Sequence, residues 1–547
     1  MNRKYFGRDV SQLRTTPFGI YVDQAGYLPH CRKTAVMPFA ADTFDVTDEA
    51  GSTVLSGSTS HHGFDEASGD DVYLADISAL PCGRYRVNAG GKTSAVFDVA
   101  EDVYADVLRD TAKAFYYLRC GCRLEERYAG VYRHERCHCG KAQVWSDRSI
   151  SRDVRGGWHD AGDYGRYVTA GACAAAHLLY AYRLFPDVLG KLSLDIPRED
   201  MPDILSETRY ELEWLLKMQR EDGGAYHKVT TMKHAPFVMP EEDTEQLYLF
   251  DVSSFATADL AAVAALAADV YSFDTEFAHR LRTAAERAAA WLDVHGFVGF
   301  ANPDGCNTGS YGERDDISNR FWAYAELYSL TGEKQYHEKL LGLADDVMLT
   351  AFGYGEIGGL GALSYMLCSY DKNEALADKI RSAFAQDAAK LRDISDKSGY
   401  GSAMGMGDYH WGSNMTLMKN AMVMAADDII NGSDNKEYVL RQLHVLLGVN
   451  ALGISYVTGT GEFRCNYPHL RPAFADGIEE CIPGMVAGGP NARPADPFAY
   501  EVIAPGTPPM KCYADDAASY SLNEITIYWN SPAVFSLAYV QSRCRTI

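Results

Sequence analysis

Between Gly156 and Val168 the chain reads Gly-Gly-Trp-His-Asp-Ala-Gly-Asp-Tyr-Gly-Arg-Tyr-Val, which sets His159, Asp160 and Asp163 among four glycines. Such a stretch is a poor helix. The glycines admit backbone angles that other residues avoid, so the chain can turn sharply and present the two aspartates side by side. Two carboxylates held close repel, their protonation states separate, and that prepares acid/base chemistry. The same residues also suit an Asx-rich surface turn or a calcium loop, and spacing alone does not choose. Just upstream, Cys120, Cys122, His134, Cys137, His138 and Cys139 fall within 20 residues. Thiolate and imidazole at that density are zinc chemistry, with scattered reduced cysteines as the plain alternative. Far downstream, Glu524 precedes the apolar run Pro532-Ala533-Val534-Phe535-Ser536-Leu537-Ala538-Tyr539. Partial burial there would raise its pKa and keep a proton available, although a Glu before a helix is commonly a solvated helix-start residue.

These residues need elements to hold them. From about Phe18 to Val99, short alternating segments such as Thr34–Met37, Thr43–Val46, Arg84–Val87 and Ala95–Val99, with Gly19–Val22 before them, predict a small β-sandwich. After about Glu101 the periodicity becomes helical, over Asp106–Leu118, Ala170–Leu184, Leu205–Gln219, Thr257–Tyr271, Glu276–Val294, Asn319–Thr331, Lys334–Thr350, Asn414–Asn431 and Lys436–Leu447. Many helices joined by long Gly- and Asp-rich loops predict a double-layered helical barrel with its site built from loops at one end. The division expected is an arm at 1–17, a sandwich at 18–100 and a helical domain at 101–547.

The chain has 547 residues and a formal charge of −23, from 51 Lys+Arg against 74 Asp+Glu. That charge disfavours nucleic acid and anionic membrane as partners and fits a neutral or cationic substrate. The 35 Tyr, 22 Phe and 7 Trp suit sugar-stacking surfaces as well as core. The start carries no apolar run and no later stretch reaches the roughly 18 apolar residues of a membrane span. With an odd count of 13 cysteines, several in helical segments, this predicts a cytoplasmic protein with reduced thiols.

Several motifs in order resemble family 9 glycoside hydrolases. They are Trp158-His159-Asp160-Ala161-Gly162-Asp163-Tyr164-Gly165, Trp411-Gly412-Ser413-Asn414, the stretch Leu446–Gly459, Pro468-His469-Leu470-Arg471-Pro472, and Asn523-Glu524-Ile525-Thr526-Ile527 before Trp529-Asn530. The opening Ile20–Pro29 resembles the immunoglobulin-like module that precedes the catalytic domain in one group of that family. The resemblance implies a mainly α fold, an (α/α)6 barrel preceded by a small immunoglobulin-like β-sandwich. It also implies cleavage of β-1,4-linked glucans or related oligosaccharides.

By the same resemblance, Asp163 matches the general base, Asp160 the aspartate that helps hold the water, and Glu524 the general acid. One protonated carboxyl protonates the departing oxygen while an ionised one activates water on the opposite ring face, which inverts the anomeric centre. Trp411, His469 and Arg471 match substrate contacts, with Leu470 where many members carry a second histidine. Cys120, Cys137, His138 and His159 match the ligands of a structural zinc, leaving Cys122 and Cys139 as extras. Calcium is a further expectation. The matching place reads Ser318-Asn319-Arg320 with Asp315 and Asp316 slightly earlier, and the acidic run 240–245 is another candidate.

The function expected is an inverting hydrolase of β-1,4-linked gluco-oligosaccharides or soluble β-glucan. An exo-acting β-glucosidase or exo-β-glucosaminidase on the same fold is the alternative enzyme, since the negative charge would attract cationic oligomers. A catalytically inactive sugar-binding protein is the alternative of another class, and it has no need of Asp160, Asp163 and Glu524 together. The loop Cys481–Pro494 is long enough to wall one end of a groove.

Overall fold

The computed structural model describes residues 19–197 and 199–544; the expected arm at 1–17, and Phe18, lie outside them. The chain divides into two compact units. One comprises residues up to Ala114, Ala388–Ala425 and Asp434 onward, and the other Phe115–Asp387 with Ala426–Ser433.

In the first unit the amino-terminal part is all β: β1 (Thr34–Met37), β2 (Thr43–Asp48), β3 (Thr53–Ser58), β4 (Ser60–Asp65), β5 (Asp70–Asp76), β6 (Gly83–Ala89), β7 (Lys92–Thr93) and β8 (Phe97–Val99). One sheet runs β1-β5-β4 and the other β3-β2-β6-β7, with β8 also paired to β6. The period of two is visible in β2, where Phe44 and Val46 are buried between exposed Thr43 and Asp45. Val46, Met37, Ala75, Val87, Phe97 and Val99 fill the space between the sheets. Two differences from the sequence reading stand out. Strand β3 and the hairpin of β4 and β5 are polar enough to hide their alternation, and the expected strand Gly19–Val22 is reduced to single bridges, Ile20 to Ser94 and Tyr21 to Val36.

Within the same unit the sandwich is pinned to the helical segments by buried polar contacts. Gln24 Nε2 donates to the carbonyls of Gly453 (2.9 Å) and Phe463 (2.8 Å), and the Gly399 amide donates to Asp65 Oδ2 at 2.8 Å. The Asp23 carboxylate meets His444 Nδ1 at 2.7 Å and accepts from Tyr104 at 2.9 Å. A buried polar group without a partner costs roughly 1–3 kcal/mol, so these pairings fix where the module sits in its unit.

The second unit is helical with one small sheet. Its helices include Val168–Leu184, Asp203–Met218, Ser254–Val270, Thr275–Val294, Ile317–Thr331, Lys334–Leu343 and Gly358–Leu367. Val168–Leu184 and Ser254–Val270 are alanine-rich and buried almost all round, the mark of helices enclosed by others. Thr275–Val294 is amphipathic, burying Phe277, Leu281, Ala284, Ala288 and Trp291 on one face. Ser253 and Asp274 cap their helices by accepting from the amides of Ala256 and Phe277, and Gly332 ends another in the left-handed region at φ 69°. The helix expected to reach Thr350 stops at Leu343. Asp345 and Asp346 would have placed two negative charges in its carboxy-terminal half, where the macrodipole disfavours them.

The small sheet is what positions the aspartates. Its strands are β9 (Ala142–Val144), β10 (Ser151–Arg152), β11 (Arg166–Tyr167), β12 (Lys228–Thr230) and β13 (Tyr248–Leu249), ordered β10-β9-β13-β12-β11.

Candidate active site

The turn from Gly156 to Gly165 is fixed at both ends. Gly156 and Gly157 take φ of 109° and 75°, and a Cβ on Gly157 would lie 2.7 Å from the Trp214 ring, so glycine is required there. The Trp158 amide donates to Glu211 Oε2 (2.7 Å) and its indole to Glu207 Oε1 (2.9 Å), both on the helix Asp203–Met218. Burial pushes the Glu211 carboxyl up to about 8. The Asp160 amide donates to the Gly165 carbonyl at 2.9 Å, closing the turn, and β11 follows at once.

Asp160 and Asp163 are 1% and 7% exposed. Tyr311 donates its hydroxyl to Asp160 Oδ2 at 2.5 Å, while Asp160 Oδ1 is buried without a partner. Burial, and then the charge of Asp163, hold the Asp160 carboxyl well above the usual range. Asp163 Oδ2 accepts from the Gly165 amide at 3.1 Å and lies 3.3 Å from His234 Nδ1. A Cβ on Gly165 would stand 2.9 Å from that oxygen. The pair is thus a buried, asymmetrically supported dyad rather than an exposed turn.

The four expected metal ligands converge. Donor atoms of Cys120, Cys137, His138 and His159 all lie within 4.8 Å of one another, and all four residues are buried. Ligands at roughly 2.0–2.3 Å from a shared zinc stand roughly 3.3–3.8 Å apart, so a slight contraction completes a tetrahedron. The ring of His138, held at φ 45°, leaves Nδ1 buried without a partner while Nε2 meets Asp243 Oδ2 at 3.2 Å. An orphaned nitrogen facing two thiols, backed by a carboxylate, is the donor set of a structural zinc. Against the upward push of burial, the Cys137 thiol and nearby cationic groups hold Cys120 well below the usual thiol range. Cys122 and Cys139 lie outside the cluster. The cluster is joined to the aspartate turn through the backbone, Cys120 N to Gly157 O at 2.8 Å and His159 N to Leu118 O at 2.7 Å.

Several of the residues named for calcium have protein partners of their own. Asp243 supports His138, Asp315 caps the Ile317 amide at 3.1 Å, and Asp316 pairs with Arg320 at 2.9 Å. The oxygen-rich group nearby is Asp259, Glu313 and Asn319. There the Asn319 amide donates to Asp259 at 3.0 Å and Glu313 at 3.4 Å, and Glu313 Oε2 and Asn319 Oδ1 are buried without partners. Burial pushes Asp259 up to about 8 and Glu313 up to about 9.

In the first unit, Glu524 is half-buried and ends the short turn Tyr520–Asn523, just before the helix Ile527–Arg543. Its carbonyl accepts from the Gly488 amide at 2.8 Å, and the His469 amide donates to the Asn523 carbonyl at 2.8 Å. The loop Cys481–Pro494 is therefore no free wall. Most of it is buried, with Asn491 Nδ2 donating to the Ser521 carbonyl at 3.0 Å, so it braces the segment that carries Glu524. Trp411 is 42% exposed and packs on Tyr520 at 5.2 Å between ring centroids, with the His469 ring 6.0 Å from Tyr520. Arg471 is buried at the start of the helix Arg471–Ala475, and Leu470 is core. Tyr520 in the first unit, and Tyr311 and His234 in the second, were not legible in the sequence, and Asp243 was named only within the acidic run 240–245. Only the glycines around Tyr311 hinted at an unusual backbone.

The chain matches the pattern of Glycosyl hydrolase family 9 over residues 104–537 and that of the cellulase N-terminal ig-like domain over residues 16–94. It is 46% identical over 543 residues to a cellodextrinase of Butyrivibrio fibrisolvens, covering 95% of this chain and 99% of that protein. A single mutant of a thermostable endoglucanase from Alicyclobacillus acidocaldarius superimposes with a TM-score of 0.90 at 34% identity, covering 96% of this chain and 100% of the other. A zinc-binding triple mutant of a family 9 endoglucanase does so with a TM-score of 0.87 at 35% identity, covering 94% and 100%. The fold class is theirs, mainly α, with an (α/α)6 barrel preceded by an immunoglobulin-like β-sandwich. The chain belongs to glycosyl hydrolase family 9 and is a glycoside hydrolase.

Proposed function

We propose that this enzyme hydrolyses β-1,4-linked gluco-oligosaccharides with inversion, Asp163 acting as general base, Asp160 helping to hold the water and Glu524 acting as general acid. The buried Asp160–Asp163 dyad carries the reading, in a chain that matches a cellodextrinase over 99% of that protein's length. Burial, and then the charge of Asp163, raise the Asp160 carboxyl, which sets the two members of the dyad apart. Water held between them gives its proton to Asp163 as it attacks the anomeric carbon. Glu524 delivers its proton to the departing oxygen and is left ionised. Trp411 offers a half-exposed ring for stacking on a sugar, and His469 and Arg471 offer donors to hydroxyls.

Cys120, Cys137, His138 and His159 would hold a structural zinc, which with four protein ligands supplies rigidity rather than chemistry. Asp259, Glu313 and Asn319 are the residues we assign to a calcium ion. The sandwich, at 18–100, serves as a non-catalytic module for the domain at 101–547. A reducing compartment such as the cytoplasm fits 13 cysteines that form no disulfide, and no described helix is long and apolar enough to cross a membrane. Turnover of cello-, mixed-linkage, xylo- and chitosan oligosaccharides by wild type and by Asp163→Asn tests the reading. A preference for chitosan oligomers, or activity surviving in the variant, would overturn it.

A further inference from the structure

We propose that His227 and Lys228 are positioning residues for hydrolysis, clamping the two peptide carbonyls before Tyr311 so that its hydroxyl stays on Asp160. The proposal rests on the reading of Asp160 as the aspartate that helps hold the water.

Tyr311 is one of three described residues other than glycine with positive φ, at 48°. That region costs a non-glycine residue about 1–2 kcal/mol and persists only where the surroundings enforce it. What enforces it is a pair of adjacent side chains at the start of β12, His227 just before the strand and Lys228 its first residue. Lys228 is fully buried, and its ammonium donates to the Gly309 carbonyl (2.7 Å), Thr308 Oγ1 (2.9 Å) and Asn302 Oδ1 (2.7 Å). Those three oxygens, with Cys306 Sγ at 3.7 Å beside them, satisfy all three of its protons. His227, also fully buried, has Nε2 2.7 Å from the Ser310 carbonyl and Nδ1 3.0 Å from Ser253 Oγ. A carbonyl only accepts, so Nε2 carries a proton. Burial pushes the ring down to about 3, so it is neutral near pH 7, and Nδ1 then accepts from the Ser253 hydroxyl. It also stacks on Phe300 at 3.9 Å.

The carbonyls of residues 309 and 310 are thus held by Lys228, the first residue of β12, and by His227 directly before it; β12 pairs with β11 directly after the aspartate turn, Tyr167 opposite Lys228. The Tyr311 ring packs on Tyr167 at 4.5 Å. One strand fixes both the turn carrying Asp160 and the loop carrying the hydroxyl that Asp160 accepts. A buried lysine used only for stability would need acceptors, but two of these, Thr308 and Gly309, lie within three residues of the group that touches Asp160.

A double-mutant cycle on the full-length enzyme tests this. Lys228→Met is expected to lower kcat at least about tenfold with KM changed less than about twofold, since misplacement of about 1 Å can cost 10²-fold. In the Tyr311→Phe background the same substitution is expected to cost less than about twofold, because the hydroxyl it positions is gone. His227→Phe keeps the stacking and loses the bond to Ser310, and should behave alike, whereas His227→Gln retains a donor and should recover most of kcat. Should Lys228→Met not fold by circular dichroism, the cycle runs with the His227 pair. Equal losses in both backgrounds, or an unchanged kcat, would overturn the proposal. Asp160→Asn separates the two levels: near wild-type activity in that variant defeats the reading of Asp160, whereas a crippled Asp160→Asn with an additive cycle defeats only the clamp.

Discussion

Asp243 Oδ2 stands 3.2 Å from Nε2 of His138, while Nδ1 of the same ring is buried without a partner. The carboxylate fixes the ring so that the orphaned nitrogen faces Cys120, Cys137 and His159, which makes Asp243 the support of a proposed zinc ligand.

One zinc per chain is therefore expected in protein purified without chelators. Asp243→Ala should weaken retention by about 10–100-fold in a chelator competition, the range for a lost outer-shell partner. Removing the metal should also lower the melting temperature, because Cys120 and His159 tie the aspartate turn to the residues before it. Metal-free protein of undiminished stability would contradict the assignment.

Asp163→Asn and Glu524→Gln should each depress kcat by about 10²–10⁴-fold on oligosaccharides with unactivated leaving groups. Both exchanges preserve volume, so circular dichroism and melting temperature should match wild type. Tyr311→Phe should cost less, since it removes one hydrogen bond to Asp160 and no proton-transfer group. Retention of near wild-type turnover by either carboxyl variant would refute its assigned role.

The first product should carry the α-configuration, as proton NMR of early hydrolysate would reveal before mutarotation. If Asp163 activates the water and Glu524 protonates the leaving group, as proposed, the anomeric centre inverts. A β-anomer appearing first would require a covalent intermediate and different roles for the carboxyls.

Glu326 provides a pH test away from the aspartates. It is fully buried on the helix Ile317–Thr331, accepts from Tyr180, Trp322 and Ser364, and is pushed up to about 7 by burial. Its folded pKa exceeds the unfolded value of about 4.3, so the folded state binds the extra proton. Its contribution is fully present below about pH 4.3 and is lost as pH rises through about 7, at about 1.4 kcal/mol per unit at most. Relative to Glu326→Gln, wild type should therefore lose stability between pH 5 and 8. Melting temperatures that keep a constant difference over that range would refute the shift.

The sequence by itself determined the features that are local. Glycines around Asp160 and Asp163 announce a turn with two carboxylates, Cys and His density between 120 and 139 announces a soft metal site, and helical periodicity announces a helical domain. Glu524, His469 and the four-ligand set came from ordered motifs, because a single Glu or His carries no signal of its own. Only the tertiary structure decided what surrounds them. Tyr311 reaches Asp160 across 151 residues and Asp243 reaches His138 across 105. His227 and Lys228 read as two more polar residues until the fold brings both to the carbonyls of one loop, at Ser310 and Gly309. Nothing in local propensity encodes such meetings, which depend on which strands pair and which buried donors must find acceptors once water is excluded.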